Sequence, residues 1–219
     1  MKVEVIPNKG PASMSLEIEH SLNWADEADI ASAFVSPAAI KRLDSALSRA
    51  KKEKRSLKIR LIFGLYQRFT PPQALDKMHD LQKAHPGKLF VRVARNNRFH
   101  WKLYTFRKGN SRRLYVGSAN FTEDGLGASG ELSVKLTTKA SDSIARSLET
   151  EFDALWQKGA FLLNQDVLDK YWKVKRPPEI VTAPKKDDAI SALLEKAERL
   201  PAPPCFAQPD LRQTGAEIN

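Results

Sequence analysis

The feature of this sequence that most constrains its fold is an alternation of short apolar runs with amphipathic segments between residues 15 and 157. Three of the apolar runs, 29–35, 57–63 and 89–94, have the length and composition of buried strands. Apolar residues at helical spacing fill the intervals between them, and a hairpin, another strand and a helix follow. This order predicts an α/β fold in which a mixed β-sheet is flanked by helices on both faces.

The remaining elements of this prediction complete one domain over residues 1–175. Further strands are expected at 99–106, 114–116 and 131–136, and helices at 15–25, 37–52, 71–84 and 141–157. The composition then changes, and residues 176–219 predict a Pro-rich linker, a short helix and a disordered tail, which form a helical C-terminal appendage. No apolar run is long enough for a transmembrane helix or a signal peptide, so we expect a cytoplasmic protein.

The net charge of +10 is concentrated in one segment. No acidic residue lies between Asp80 and Glu123, whereas ten basic residues do, and without these ten the chain is balanced between basic and acidic residues. A phosphate polymer binds such a basic segment by releasing counterions, so we expect nucleic acid, with DNA favoured, as the partner. The candidate nucleic-acid contacts are Arg98, Arg107, Arg112, Arg113 and Tyr104.

The same segment carries a set of chemically reactive side chains. His100 and Lys102 alternate on one predicted strand and therefore project from the same face. The chain returns through a turn to a strand that ends next to Ser118 and Asn120, and Glu131 opens the strand after that. An imidazole, an ammonium, a hydroxyl, a carboxamide and a carboxylate are thus expected to converge at one end of the sheet.

This set of groups is sufficient for phosphoryl transfer. A neutral histidine can attack phosphorus and form a phosphohistidine, while a lysine with serine and asparagine dipoles stabilises charge on the non-bridging oxygens. A second histidine protonates the leaving oxygen and then activates water, and a glutamate can hold an imidazole in one tautomer. No spacing of His, Asp and Glu residues indicates a metal site, so we expect neither a metal nor an organic cofactor.

These residues resemble the signature of the phospholipase D superfamily, which consists of His-x-Lys, Gly-Ser-x-Asn and a later acidic residue. The matching positions are His100-x-Lys102, Gly117-Ser118-x-Asn120 and Glu131. One position departs from the pattern, because Arg107 stands where the family usually carries a mostly structural aspartate. Residues 15–157 as a whole, including the run 29–36, resemble the restriction-endonuclease branch related to the NgoFVII and BfiI enzymes.

The resemblance implies a metal-independent nuclease whose active site contains two copies of the motif. This chain carries one copy, and its three other histidines lie outside any comparable pattern. A homodimer would supply the second copy across a two-fold axis. The expectation is therefore a homodimeric endonuclease in which residues 1–175 form a phospholipase D-like nuclease domain.

Two other functions are compatible with the sequence. One is a catalytically silent DNA-binding subunit of a larger restriction or repair complex, which Arg107 would support. The other is hydrolysis of a different phosphodiester such as a phospholipid, although enzymes of that kind typically carry two motifs in one chain and membrane contacts. The sequence leaves open the recognition sequence, DNA against RNA, single against double strands, and whether a partner subunit supplies specificity.

Overall fold

The computed structural model of the chain describes residues 1–65, 69–127 and 130–173. Its strands are β1 (Lys2–Ile6), β2 (Glu27–Ser32), β3 (Lys58–Phe63), β4 (Leu89–Ala94), β5 (Lys102–Lys108), β6 (Ser111–Gly117), β7 (Ser133–Lys139) and β8 (Ala160–Leu162). Its helices are α1 (Met14–Trp24), α2 (Pro37–Lys52), α3 (Pro72–Ala84), α4 (Glu123–Gly127), α5 (Ser143–Lys158) and α6 (Gln165–Lys173). The appendage expected over 176–219 lies outside the described residues, so the domain boundary at 175 stays a prediction.

These strands form one mixed sheet in the order β1-β7-β6-β5-β2-β3-β4-β8. The strands β2, β3 and β4 are parallel, because α2 and α3 each return the chain to the same end of the sheet. The strands β5, β6 and β7 are antiparallel neighbours, and β5 pairs antiparallel with β2. The short strands β1 and β8 lie at the two edges.

Helices cover both faces of this sheet, as the sequence predicts. Helices α1, α2, α3 and α6 pack on one face, around a core that includes Ile30 and Leu61. Helix α5 packs on the other face through Phe152, next to Ile62 and Leu103. The predicted fold class is therefore confirmed. None of the helices in the described ranges is long and apolar enough to cross a membrane.

Local sequence explains where two of the helices begin. The hydroxyl of Ser36 accepts a hydrogen bond from the Ala39 amide, and Pro37 occupies the first turn of α2. Ser13 caps α1 in the same way by accepting from the Leu16 amide. The cap at Ser36 fixes the turn between β2 and α2, and this turn lies at the edge of the sheet where the motif residues meet.

Several elements differ from those predicted. The strands β1 and β8 and the helices α4 and α6 were not expected, and each of them spans nine residues or fewer. The strand expected from residue 99 begins only at Lys102, because the backbone amide of Phe99 bonds the carbonyl of Asn96 in a preceding turn. Trp101, which lies before β5 and not within it, is 39% exposed.

Candidate active site

The register of the strands brings the motif segments to one edge of the sheet. Lys102, the first residue of β5, lies opposite Ser32, the last residue of β2. Gly117, the last residue of β6, lies opposite Ser133, the first residue of β7. The segments that leave this edge carry the other candidate residues, His100, Ser118, Asn120 and Glu131. We call it the motif edge.

At the motif edge the side chains of His100 and Lys102 are in direct contact. The ammonium nitrogen of Lys102 lies 2.6 Å from Nδ1 and 3.0 Å from Nε2 of His100, and it donates to the His100 carbonyl at 3.1 Å. Lys102 is only 8% exposed, whereas His100 faces solvent. A histidine beside an ammonium holds its neutral form, which is the form that can act as a nucleophile.

Electrostatics favours the same protonation state. Burial and the positive charge of Lys102 both lower the pKa of His100. Burial also lowers the pKa of Lys102, and the negative charge of Glu131 opposes that shift. The arrangement therefore keeps the imidazole neutral while a nearby carboxylate helps the lysine to keep its proton.

The position of His100 is fixed from both sides. Before it, Phe99 is buried in the core beneath α5, and after it Lys102 is buried at the start of β5. The Trp101 carbonyl accepts a hydrogen bond from the Ala33 amide at 2.9 Å. The imidazole itself meets the ring of Phe34 edge to face, with ring centres 5.8 Å apart.

Ser118 is tied to the segment that carries Glu131. Its backbone amide donates to the Leu132 carbonyl at 3.0 Å, and its hydroxyl accepts from the Leu132 amide at 3.0 Å. Gly117 makes this close approach possible, because a Cβ there would overlap the Leu132 carbonyl and the Ser133 hydroxyl. The Ser118 hydroxyl is thus occupied by backbone.

The Asn120 loop is held between two strands. The amide of Phe121 donates to the buried Ser32 hydroxyl at 2.7 Å, and the Phe121 carbonyl accepts from the Ser36 amide at 3.2 Å. The side-chain oxygen of Asn120 is buried and finds no hydrogen-bond donor among the described residues. Such an unsatisfied group needs an explanation, and a ligand that donates a hydrogen bond would provide one.

Tyr104 does not reach the surface, contrary to its candidate role in binding nucleic acid. It is 1% exposed, its hydroxyl donates to the Ala119 carbonyl at 2.7 Å, and burial raises its pKa. Strand alternation places it on the same face as Lys102, but this face continues into the core beneath the motif edge. Tyr104 supports the loop that carries Asn120.

Three of the four candidate arginines lie away from the motif edge. Arg107 and Arg112 face each other at the opposite end of β5 and β6, five residues or roughly 16 Å beyond Lys102. Arg113 points to the other face of the sheet, where it lies 4.2 Å above the ring of Trp24. Arg98 is exposed two residues before His100, so it alone of the four remains a candidate phosphate contact at this edge.

Acidic residues that are distant in the sequence neutralise Arg107 and Arg112, the two arginines at the opposite end of β5 and β6. Arg107 contacts the buried carboxylate of Asp29 at 2.6 Å and that of Glu27 at 3.0 Å. Arg112 contacts Glu149 at 2.6 Å. The expectation of one basic surface made by all these arginines is therefore wrong, because acidic residues outside the acid-free segment fold onto them.

Sequence reasoning missed two residues at the motif edge, Ser32 and Phe34. Both lie at the end of β2, directly beside β5 in the sheet. The available signal was their position at the carboxyl end of a buried strand, where ligands of α/β proteins commonly bind. Among the described residues, no group of three or more His, Cys, Asp or Glu side chains is placed to hold a metal ion.

The sheet and its helices are those of a phospholipase D-type domain. The phospholipase D family member Nuc from Salmonella typhimurium matches with a TM-score of 0.53 and 16% identity, over 74% of this chain and 97% of its own. NucT from Helicobacter pylori has 15% identity over 72% of this chain and 96% of its own, with a TM-score of 0.49. At 16% identity the likeness to Nuc shows the fold alone.

The family is shown by sequence. Residues 13–160 match the model of the NgoFVII restriction endonuclease N-terminal PLD domain, and the chain belongs to this family. Among curated proteins, none matches the sequence. Family membership confirms the predicted recognition, and it makes the protein an enzyme of the phospholipase D nuclease and phosphodiesterase class.

Proposed function

We propose that the protein is a metal-independent endonuclease that hydrolyses phosphodiester bonds of nucleic acid, with DNA preferred, through a phosphohistidine at His100. The observation that carries the proposal is the contact between the exposed imidazole of His100 and the ammonium of Lys102, with the histidine pKa lowered. The family model, which describes a restriction endonuclease domain, supports the nuclease class.

The reaction consists of two displacements. A ring nitrogen of His100 attacks phosphorus, and the bond from phosphorus to the leaving oxygen breaks. The leaving oxygen takes a proton from a second histidine. That histidine, now neutral, removes a proton from water, whose oxygen attacks the phosphohistidine and releases His100. The products are one free hydroxyl and one terminal phosphate.

The other motif residues stabilise this reaction without touching the leaving group. Lys102 and the amide of Asn120 bind the non-bridging oxygens, which gain charge as the imidazole attacks. Glu131 keeps Lys102 protonated in spite of its burial. Ser118 holds the segment that carries Glu131. The donor that Asn120 offers to the non-bridging oxygens is its side-chain nitrogen, because its oxygen can only accept hydrogen bonds.

The second histidine comes from a second copy of the chain. Of the other histidines, His20 lies on α1, His79 is buried on α3, and His85 contacts Asp44. A two-fold axis at the motif edge would bring two copies of His100 to one phosphate.

An exposed apolar surface beside the motif edge supports this dimer. Five side chains that are 37 to 61% exposed form what we call the valine face: Val3, Val5, Val116, Leu132 and Val134. Val116 pairs with the buried Leu103 in the sheet, so the valine face continues the core that α5 covers further along. A contiguous apolar patch of this kind is typical of an interface.

Mixing the wild type with His100→Ala tests the shared site. If two copies of His100 serve one phosphate, a mixed dimer is inactive, and an equal mixture of co-expressed chains retains about one quarter of the activity rather than one half. Val134→Lys should give monomers in analytical ultracentrifugation and abolish cleavage. Full activity of a monomeric Val134→Lys protein would refute the dimer.

Cleavage in excess EDTA tests the chemistry. Supercoiled plasmid and single-stranded DNA are incubated with the wild type and with His100→Ala, and a radiolabelled strand is used to detect the phosphohistidine after rapid denaturation in alkali. Cleavage by the wild type alone, with label on the protein, is the expected result. If both proteins retard DNA on a gel and neither cuts it, the catalytically silent DNA-binding subunit is the better interpretation.

A further inference from the structure

A groove with a volume of about 600 Å³ opens beside His100, at the end of β2. Its floor is apolar and includes Phe34, Val35 and Phe69, and Asn120 lines it as well as the motif edge. The volume lies in the range of pockets that bind small ligands or parts of larger ones. The groove is therefore continuous with the candidate active site.

Aromatic rings connect the groove to the catalytic histidine. Phe34 meets His100 with ring centres 5.8 Å apart on one side and Phe69 with ring centres 5.0 Å apart on the other. Phe69 is 60% exposed, although it is one of the largest apolar side chains in the protein. An exposed aromatic ring next to a phosphate-binding site is a surface on which a nucleobase can stack.

The charges around the groove indicate which part of a nucleotide enters it. Glu123 and Asp124 also line the groove, and their negative charges disfavour a phosphate there. The cations Lys102 and Arg98 lie on the side of His100. A nucleotide would therefore place its phosphate at His100 and its base in the groove, where carboxylate oxygens can accept hydrogen bonds from base amino groups.

We propose that Phe69, backed by Phe34, is a stacking platform for the base next to the scissile phosphate. This inference rests on the proposed nuclease function and specifies its substrate. A base that stacks on Phe69 cannot remain paired in a duplex, because its face must leave the neighbouring bases. The substrate is therefore single-stranded nucleic acid or a duplex opened at the cleaved position.

Binding is measured with a short single-stranded oligonucleotide containing 2-aminopurine, whose fluorescence falls when it stacks. All proteins are full-length and carry His100→Ala to prevent cleavage. We expect Phe69→Ala to weaken binding about 5- to 100-fold and to abolish the fluorescence change, and Phe69→Tyr to restore both. The matched control is Phe90→Ala, which removes a 41% exposed phenyl ring from β4 and should change neither.

Cleavage by proteins with an intact His100 separates the two proposals. The substrates are a single strand and the same strand with abasic nucleotides around the cut. Equal cleavage of both, with Phe69→Ala as active as wild type, would overturn the platform while the nuclease stands. If the wild type does not cut but the fluorescence change still depends on Phe69, the nuclease function is refuted. The proposal that a base stacks on Phe69 then stands. Loss of dimer in Phe69→Ala with unchanged fluorescence would make the groove a subunit contact and overturn the platform.

Discussion

The two ends of β5 differ in how completely their charges are paired. At the motif edge, Lys102 contacts an uncharged imidazole, its pKa is lowered by burial, and the Asn120 oxygen has no donor among the described residues. At the opposite end, the buried Asp29 is bound by Arg60 through two hydrogen bonds of 2.6 and 2.7 Å and by Arg107 through a third. At the motif edge the charged Lys102 contacts no carboxylate in the described part of the chain, whereas at the opposite end the charged groups Asp29, Arg60 and Arg107 are paired with one another.

The two ends of β5 therefore have different roles, one in stability and one in catalysis. Paired buried charges keep the strands in register, and breaking one partner leaves an uncompensated charge. Unpaired polar groups reduce stability but are ready to stabilise charge that develops on a substrate. Substitutions at the two ends should therefore change different quantities, activity at one and the free energy of unfolding at the other.

The largest contrast should come from a pair of lysine and arginine substitutions. Lys102→Met removes a cation that binds phosphate oxygens, so kcat should fall about 100- to 1,000-fold. Because it also removes a buried charge, the free energy of unfolding should be unchanged or higher. Arg112→Met should leave kcat unchanged and lower the free energy of unfolding by roughly 1 kcal/mol, since the Arg112–Glu149 pair is partly exposed.

Urea denaturation and steady-state cleavage measure both quantities on the same samples. A Lys102→Met protein that cuts at the wild-type rate would remove the lysine from the reaction. An Arg112→Met protein that is fully stable but inactive would show that the opposite end also takes part in catalysis.

An effect on stability alone, with no change in catalysis, is expected at Arg107. Arg107→Asp restores the residue that the family usually carries, but here it would place a second carboxylate beside the fully buried Asp29. We expect the free energy of unfolding to fall by roughly 2–4 kcal/mol, with kcat of the folded protein unchanged. Arg107→Met, which removes the cation without adding an anion, is the control and should lose less. Equal stability of Arg107→Asp and wild type in urea would contradict this account.

The same contrast explains how far the sequence predicted the structure. The contact between His100 and Lys102 was predictable because the two residues are two positions apart, although His100 lies before β5 and not within it. The environment of the arginines was not, because the partner of Arg107 is 78 positions away and that of Arg112 is 37 positions away. An acid-free segment of sequence does not predict an acid-free surface.

Tyr104 shows a second limit of sequence reasoning. Alternation correctly places it on the face of Lys102, but alternation does not tell whether that face is covered. Here that face is covered by the helical core that includes α1 and α2. His100 is therefore exposed, whereas Lys102, two residues later, and Tyr104 are buried. Phe69, an exposed aromatic residue that reaches the histidine through Phe34, comes from a loop that no periodicity singles out.

The smallest expected effect is a shift in the pH dependence of cleavage. Attack requires a neutral His100, and burial together with the charge of Lys102 lowers its pKa below the ordinary value of about 6.5. The acidic limb of the kcat/KM profile should therefore lie at this lowered pKa, while the second histidine, which must be protonated, sets the limb at higher pH. In Lys102→Met the residual activity should be lost at a higher pH, because one of the two causes that lower the pKa of His100 is gone.

The pKa of His100 is measured directly by NMR, with its ring resonances assigned by their absence from His100→Ala. A wild-type pKa above about 7 would mean that the imidazole is mostly protonated at neutral pH, and it would then serve as the proton donor rather than the nucleophile.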